Sequence, residues 1–225
     1  MSKFFDLNVH AYPEDDVPIE DMLRTAKRYG YAGIAITNHD DSVNEDVSLS
    51  VLTTVFSGVE IRARSVSELK RRITHHRGKA SVLAVHGGDE KINMAALKDY
   101  RVDILAHPST EKGDSELNHV LVRYAAENGV AIDFSINAII QSRRSDRARI
   151  LLKMRDNLKL VRKYKALAVL TSNAHSIYEL RAPREMIAVA SLFGMRQEEA
   201  VHALSDIPKG ILEKKWKKAK EVEII

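Results

Sequence analysis

A chain of 225 residues, 44% of them hydrophobic, is long enough for one α/β domain with a full core. No run approaches the roughly 18 apolar residues of a membrane span, the N-terminus lacks the basic-then-apolar layout of a secretory leader, and with no cysteine there are neither disulfides nor thiolate metal sites. A reducing, cytoplasmic setting is the simplest expectation. The net charge of +4 is unevenly placed: residues 141–165 carry ten Lys/Arg against Asp146 and Asp156, a net +8 that leaves −4 for the rest, and residues 209–220 carry six Lys against Glu213. Two basic blocks on a slightly acidic body point to a polyanionic partner.

Residues 3–9 form the first expected strand, with Phe4, Phe5, Leu7 and Val9 apolar and Asp6-Leu7-Asn8-Val9-His10 at its end. Pro18 suits the first position of a helix whose Ile19, Met22, Leu23 and Ala26 form an apolar stripe before Gly30 stops it. Residues 31–37 make the second strand, followed by Asn38-His39-Asp40-Asp41; residues 43–55 are ambiguous, a short helix being one reading. Residues 58–61 read as the third strand, and Ser65 with Glu68 makes a capping box for the helix after it. The fourth strand, 81–85, ends at His86-Gly87-Gly88, and the fifth, 102–106, at His107-Pro108. A helix is expected over 114–128, closed by Gly129, and the sixth strand over 130–136, ending at Asn137. A long basic helix from about Ser145 to Tyr164 comes next, with Arg143 and Arg144 ahead of it. The seventh strand, 166–170, runs into Thr171-Ser172-Asn173-Ala174-His175, and Pro183 opens a helix that reaches Phe193 and stops at Gly194. Residues 208–225 read as a basic, helical, peripheral tail. No linker or low-complexity segment interrupts the chain, so residues 1–225 are expected to form one domain.

Seven apolar strands, mostly separated by helices, predict a parallel sheet. A TIM-like (β/α) barrel of about seven parallel strands explains why polar residues recur at the same end of successive strands; an open doubly wound sheet is the alternative. Ile34, Ile36, Leu83, Val85, Ile104, Leu105, Ile132, Val169 and Leu170 are expected in the barrel core.

Of nine histidines, His10, His39, His86, His107 and His175 follow a strand within a few residues. In a barrel these five converge on one mouth, where Glu60 and Asp133 can join them. Imidazoles and carboxylates gathered from several strands are what a divalent metal site needs; each histidine taken singly is equally compatible with an ordinary loop position.

Asn8-x-His10, Asn38-His39, Glu60, His107-Pro108 and Asn173-Ala174-His175 resemble the metal-binding motifs of the polymerase-and-histidinol-phosphatase superfamily, a family of distorted seven-stranded barrels that hydrolyse phosphoesters with metal ions. Its motifs read His-x-His, Asp-His, Glu, His and Asp-x-His. Here Asn8 stands for a His, and Asn38 and Asn173 each stand for an Asp; an amide carbonyl is a poor substitute for a carboxylate around a hard dication. The resemblance therefore implies a kept scaffold with vestigial metal positions (Asn8, His10, Asn38, His39, Glu60, His107, Asn173, His175), no metal and no catalytic residue on this chain. Over nearly its whole length the chain is similar to the ribonuclease P protein component 3 family, related to the eukaryotic 30-kDa subunit: DLNVH, GIAITNH, GVEI, LAHPS, AIDFSINAII, and LTSNAHSIYELRAPREM followed by LFGM.

That likeness implies a protein subunit of ribonuclease P, the endoribonuclease that removes the 5′ leader of precursor tRNA. The RNA subunit does the cleavage with Mg²⁺; the protein supports it, pairs with a small α/β subunit and joins other ribonuclease P proteins, away from membranes. A metal-dependent phosphoesterase using the strand-end histidines and Glu60 is the alternative. The residues fit an RNA-binding role on their own account. With Ile150, Leu151, Met154, Leu158 and Val161 as the inward stripe of the basic helix, Arg147, Arg155, Lys159, Arg162 and Lys163 are left outside, next to Arg143 and Arg144. Such a face either stays solvated or holds phosphates; the scarcity of acids on it favours phosphates. Arg62, Arg64, Arg181 and Arg184 lie near the expected mouth, where they either meet phosphates or pair with Glu60 and Glu185. Trp216 among the tail lysines either stacks on a base or packs on the body.

Overall fold

The structure, a computed structural model, describes residues 3–42, 54–108 and 117–214. Seven parallel strands follow one another around the sheet in chain order: β1 (Phe4–Val9), β2 (Tyr31–Ile36), β3 (Thr54–Ile61), β4 (Val82–His86), β5 (Ile104–Ala106), β6 (Ala131–Ser135) and β7 (Ala168–Thr171). The helices α1 (Ile19–Tyr29), α2 (Val66–His76), α3 (Glu90–Leu97), α4 (His119–Asn128), α5 (Ile136–Gln141) and α6 (Arg144–Tyr164) lie between them. β7 comes back against β1 through the Val9–Ala174 bridge, a His10 N–H donated to Ala174 O at 2.9 Å, and the Ser172 N–H donated to Asp6 Oδ2 at 3.1 Å. The sheet is thus a nearly closed TIM-like (β/α) barrel. The open doubly wound alternative fails because its first and last strands would not meet.

After β7 come α7 (Pro183–Ala190), a short 3-10 turn ended by Gly194, α8 (Gln197–Leu204) and α9 (Asp206–Leu212). α8 packs against both β7 and β1, covering the seam between them. Period-two alternation along the strands then divides the core. Ile34, Ile36, Leu83, Val85, Leu105, Ile132 and Leu170 face the helices, while Phe5, Leu7, Val82, Ala84, Ile104, Ala131 and Val169 cluster inside the barrel with Ile207 and Ile211 of α9. Most of these inward residues open their strands, so α9 closes the amino-terminal end of the barrel. The expected peripheral tail is corrected here: Pro208 and Ile211 are buried, and Lys214 Nζ reaches Asp103 Oδ2 at 2.8 Å. Residues 215–225, Trp216 included, lie outside the described residues.

Several ends differ from expectation for local reasons. Pro18 is the N-cap of α1, one place ahead of its expected position. α4 begins at His119, not at 114, because the Asn118 side chain accepts from the Val120 and Leu121 N–H groups and caps it there. α3 has no counterpart among the sequence expectations; Asp89 caps it through the Lys91 and Ile92 N–H groups. Ser65 accepts from Glu68 N–H at 3.2 Å, but the return arm of the capping box goes to Arg64 N–H at 2.9 Å. Arg144 belongs to α6 and does not precede it. Of the ambiguous stretch, residues 43–53 lie outside the described residues and Thr54 and Val55 belong to β3.

β3 crosses β2 closely at Gly58, where a Cβ would stand 2.9 Å from Ile36 O and 2.5 Å from Thr37 Cγ2. Gly58→Ala is expected to cost about 1–3 kcal/mol by overpacking two strands that carry the mouth. A fall in the urea midpoint with an unchanged slope would register it; an unmoved midpoint would mean β2 yields without cost.

Candidate functional site

Glu60 projects into the carboxyl-terminal mouth of the barrel and is fully buried there. Its Oε2 accepts from Asn8 Nδ2 at 3.1 Å and its Oε1 meets His86 Nδ1 at 2.6 Å. His39, His10 and His107 stand further out, their Nε2 atoms 3.6, 3.8 and 3.9 Å from the carboxylate. The rings form a chain: His10 to His39, His39 to His86 and His86 to His107 have centroids 5.1, 5.5 and 4.8 Å apart, and His175 stacks on His10 at 4.3 Å. Four strand-end imidazoles therefore gather around one carboxylate, and His175 joins them through its stack on His10.

Two acids absent from the sequence expectations complete the ring. Glu14 accepts from His10 Nδ1 at 3.0 Å, from His39 N–H at 2.7 Å and from His39 Nδ1; Asp15 accepts from His175 Nδ1 at 2.9 Å. Both sit in the β1–α1 loop, and their one sequence signal is the acid run at 14–16 shortly after His10. Glu179 holds the His175 N–H at 2.8 Å.

Burial would raise the Glu60 carboxyl, but His39 and His86 hold it well below the usual carboxylate range. Glu14 is held low in the same way, with burial outweighed by His10 and His39. Burial would lower His39, yet Glu14 and Glu60 push it up to about 9. Arg62 Nη2 lies 2.8 Å from His39 Nε2 and competes for that nitrogen. Arg62 is exposed and free to swing out, whereas the two carboxylates are fixed, so the protonated ring prevails. His107 is pulled down to about 4 by burial, which the nearby Glu60 opposes only in part.

Two donor groups, His10–Glu14–His175 and His39–Glu60–His86, each bring ligand-type atoms within 4.8 Å of one another. The amide positions do not fit the superfamily's metal cluster. An ionised Glu60 can only accept, so Asn8 turns its NH₂ toward it, and Asn8 Oδ1 takes the Thr37 hydroxyl at 2.7 Å. Protons thus face the centre where a His-x-His motif would present a lone pair. Asn38 faces away from the cluster: its Oδ1 accepts Ala11 N–H at 2.9 Å and its Nδ2 donates to Ala11 O at 2.9 Å. An aspartate could make the first of these bonds but not the second, so the amide pins the β1–α1 loop that carries Glu14. Asn173 Oδ1 lies 3.2 Å from His10 Nε2. Asn8 and Asn173 therefore join the network at the mouth, and Asn38 supports it from behind.

Beside the mouth lies a cavity of about 1240 Å³, lined by the imidazoles and Arg62, by Asp133, Ser135 and Asn137 from β6 and α5, and by Arg149, Lys153 and Asn157 of α6. Arg149 and Lys153 had no place among the expected contacts, which counted only the outward face of the helix. On that outward face Arg143, Arg144, Arg155, Lys159 and Lys163 are exposed. Lys159 pairs with Asp156 at 2.8 Å, and Arg155 Nη2 reaches Leu192 O at 3.4 Å. Arg162 forks onto Glu199 at 2.6 and 2.8 Å, and Arg147 Nε donates to Ile139 O and Ser142 O at 3.0 Å. Arg64 and Arg184 are exposed, while Arg181 donates to Tyr178 O and Leu180 O. The alternative pairing of these arginines with Glu60 and Glu185 does not form: Glu60 takes the histidines and Asn8, and Glu185 takes the Ala182 N–H at 3.1 Å.

Fold and rim define the class: a nearly closed, TIM-like parallel (β/α) barrel whose mouth carries a histidine-ringed carboxylate with amide side chains in and behind the ring. The model of the ribonuclease P subunit p30 family matches residues 3–220, and the chain belongs to that family. It is 48% identical over 215 residues to ribonuclease P protein component 3 of Methanococcoides burtonii, covering 94% of this chain and 88% of the relative. It is 40% identical over 215 residues to the Methanosarcina acetivorans protein of the same name, covering 94% and 90%. A chain in a cryo-EM structure of archaeal ribonuclease P with mature tRNA superposes with a TM-score of 0.81 at 27% identity, over 93% of this chain and 90% of that one.

Proposed function

We infer that this chain is a protein subunit of ribonuclease P, and that it binds and supports the catalytic RNA without itself cutting. It works on precursor tRNA together with a small α/β subunit and the other ribonuclease P proteins, in the cytoplasm, while the RNA subunit cleaves with Mg²⁺. No helix of the described residues is long and apolar enough to cross a membrane. The observation that carries the reading is near-full-length kinship with protein component 3 together with the match to a chain of an assembled, tRNA-bound enzyme. In this reading the exposed Arg143, Arg144, Arg155, Lys159 and Lys163 meet phosphates, with Arg64 and Arg184 near the mouth. Arg147, Arg162 and Arg181 first have to release the partners they hold, whereas Arg62 is exposed and free to swing toward a phosphate.

Reconstitution tests it: precursor-tRNA cleavage at limiting Mg²⁺ is expected to fall when this chain is left out of the RNA and its sibling proteins, and an unchanged rate would remove the chain from the enzyme. The surface makes its own prediction. Replacing Arg155, Lys159 and Lys163 together by alanine should shallow the slope of log affinity for RNA against log salt by about 2 to 3, if each meets one phosphate. The exposed Lys159–Asp156 pair is worth too little to compete with RNA. A slope identical to that of the parent protein would take this face out of the footprint. The two donor triads give a phosphoesterase reading its one foothold; stoichiometric metal in the purified chain, with hydrolysis lost in His175→Ala, would establish it.

A further inference from the structure

The two walls of the mouth cavity differ. On the histidine wall, His10, His39, His86 and His175 are satisfied by Glu14, Asp15 and Glu60. On the β6 wall, Asp133 Oδ2, Ser135 Oγ and Asn137 Oδ1 have no hydrogen-bond partner among the described residues. Their residues are only 4%, 5% and 9% exposed, and all three line the cavity. Buried polar atoms without partners cost free energy, so three in one wall call for a ligand. Helical spacing brings Arg149 and Lys153, with Asn157, into the same space from α6. Among the described residues Arg149 is tied only to the exposed Asp146, at 3.4 Å. Burial pushes the Asp133 carboxyl well above the usual carboxylate range, against the Thr171 hydroxyl that donates to it at 2.8 Å. That shift favours the uncharged form, which repels an anion less than a carboxylate would.

We propose that this cavity takes one nucleoside monophosphate unit, its phosphate toward Arg149 and Lys153 and its sugar and base edge against Asp133, Ser135 and Asn137. Small-molecule sites run to about 300–1,000 Å³, so a volume of about 1240 Å³ admits a whole nucleotide. Ribose hydroxyls both donate and accept, which matches a carboxyl, a hydroxyl and an amide carbonyl in one wall, and a ribonucleotide is favoured over its deoxy counterpart. The inference deepens the RNA-subunit reading and rests on it: an unpaired nucleotide of bound RNA carries this chemistry, as does a free one.

The test is calorimetric titration of the full-length chain, freed of metal with EDTA, with AMP, dAMP, inorganic phosphate and a short single-stranded oligoribonucleotide. AMP is expected to bind saturably with one site, dAMP and phosphate more weakly. Ser135→Val and Arg149→Ala should each weaken AMP at least about tenfold, with Ser135→Ala as the milder variant should the valine disturb folding. Competition between AMP and the oligoribonucleotide assigns the site to an unpaired nucleotide of RNA, and AMP binding without competition assigns it to free nucleotide; both support the site. Absence of AMP binding, or binding to which all three variants are indifferent, overturns it, as does affinity that appears only after Mn²⁺ is added. Such a failure leaves the RNA-subunit reading standing if reconstitution still requires the chain, and a dispensable chain that binds AMP sinks that reading alone.

Discussion

Replacing Glu60 by alanine is expected to lower the free energy of unfolding by about 3–5 kcal/mol, the usual result of removing one side of a buried ionic network. Glu60 is 0% exposed, takes Asn8 Nδ2 and His86 Nδ1, and lies within 4 Å of His10, His39 and His107. Without it the Asn8 amide N–H is buried with no acceptor, and the His39 imidazolium keeps only Glu14. Glu60→Gln preserves the volume and retains one oxygen for Asn8 or His86 but not the charge, so it should fall between the two. Urea unfolding at pH 7 measures both; an alanine variant within about 1 kcal/mol of the parent, the effect of an ordinary substitution, would mean that the histidines cohere without the carboxylate.

Why some of this was readable and some was not follows from the range of each interaction. A strand buried on both faces announces itself in five or six consecutive residues, and so β1, β2, β4, β6 and β7 could be placed to within about two residues. The strand-end histidines were legible because a barrel turns sequence rhythm into spatial convergence: each sits just past an apolar run, and parallel strands put all those ends on one side. Glu14 and Asp15 were not, because their position depends on how the loop after β1 is folded back by Asn38, a contact 27 residues away between Nδ2 and Ala11 O. Nor was the burial of α9. Its Ile207 and Ile211 are two apolar residues beside a lysine-rich run, and only the closed barrel supplies the hole that they fill.

The same reasoning separates the two basic features of α6. Periodicity identifies which lysines and arginines leave the core, and every one on the outward face is a candidate phosphate ligand on that ground. It does not say that Arg162 is bound to Glu199 across 37 residues, nor that the first half of the helix stands off the barrel far enough for Arg149 and Lys153 to face the mouth. In the proposed roles, outward residues would hold an extended polyanion, with an affinity set by salt, and inward ones, beside unpartnered polar atoms, would select a single unit of it. A subunit that uses both faces of one helix would anchor RNA along the outside and hold one nucleotide of it at the mouth.

The second large effect is expected from pH, at the seam where β1 and β7 close the barrel. Asp6 is fully buried, and burial raises its carboxyl to about 6 from 3.8, even though the Ser172 and Asn8 N–H groups favour the ionised form. Between those two values the folded chain holds a proton that the unfolded chain has released. Asp6 therefore contributes its full stability below about pH 4, and loses it as pH rises through 6. A shift of about two pKa units corresponds to roughly 3 kcal/mol between pH 4 and pH 8. Asp6→Asn keeps an oxygen for Ser172 N–H and removes the ionisation. It should be more stable than the parent at pH 8 by about 1–3 kcal/mol, and no more stable at pH 4, so that the two stability curves cross. Urea midpoints from pH 4 to pH 8 on both proteins decide it, because every other titrating group cancels in the difference. A constant offset between the curves would show that Asp6 is ionised in the folded protein throughout, held by its two backbone donors against the cost of burial, and that the seam is closed by a charge.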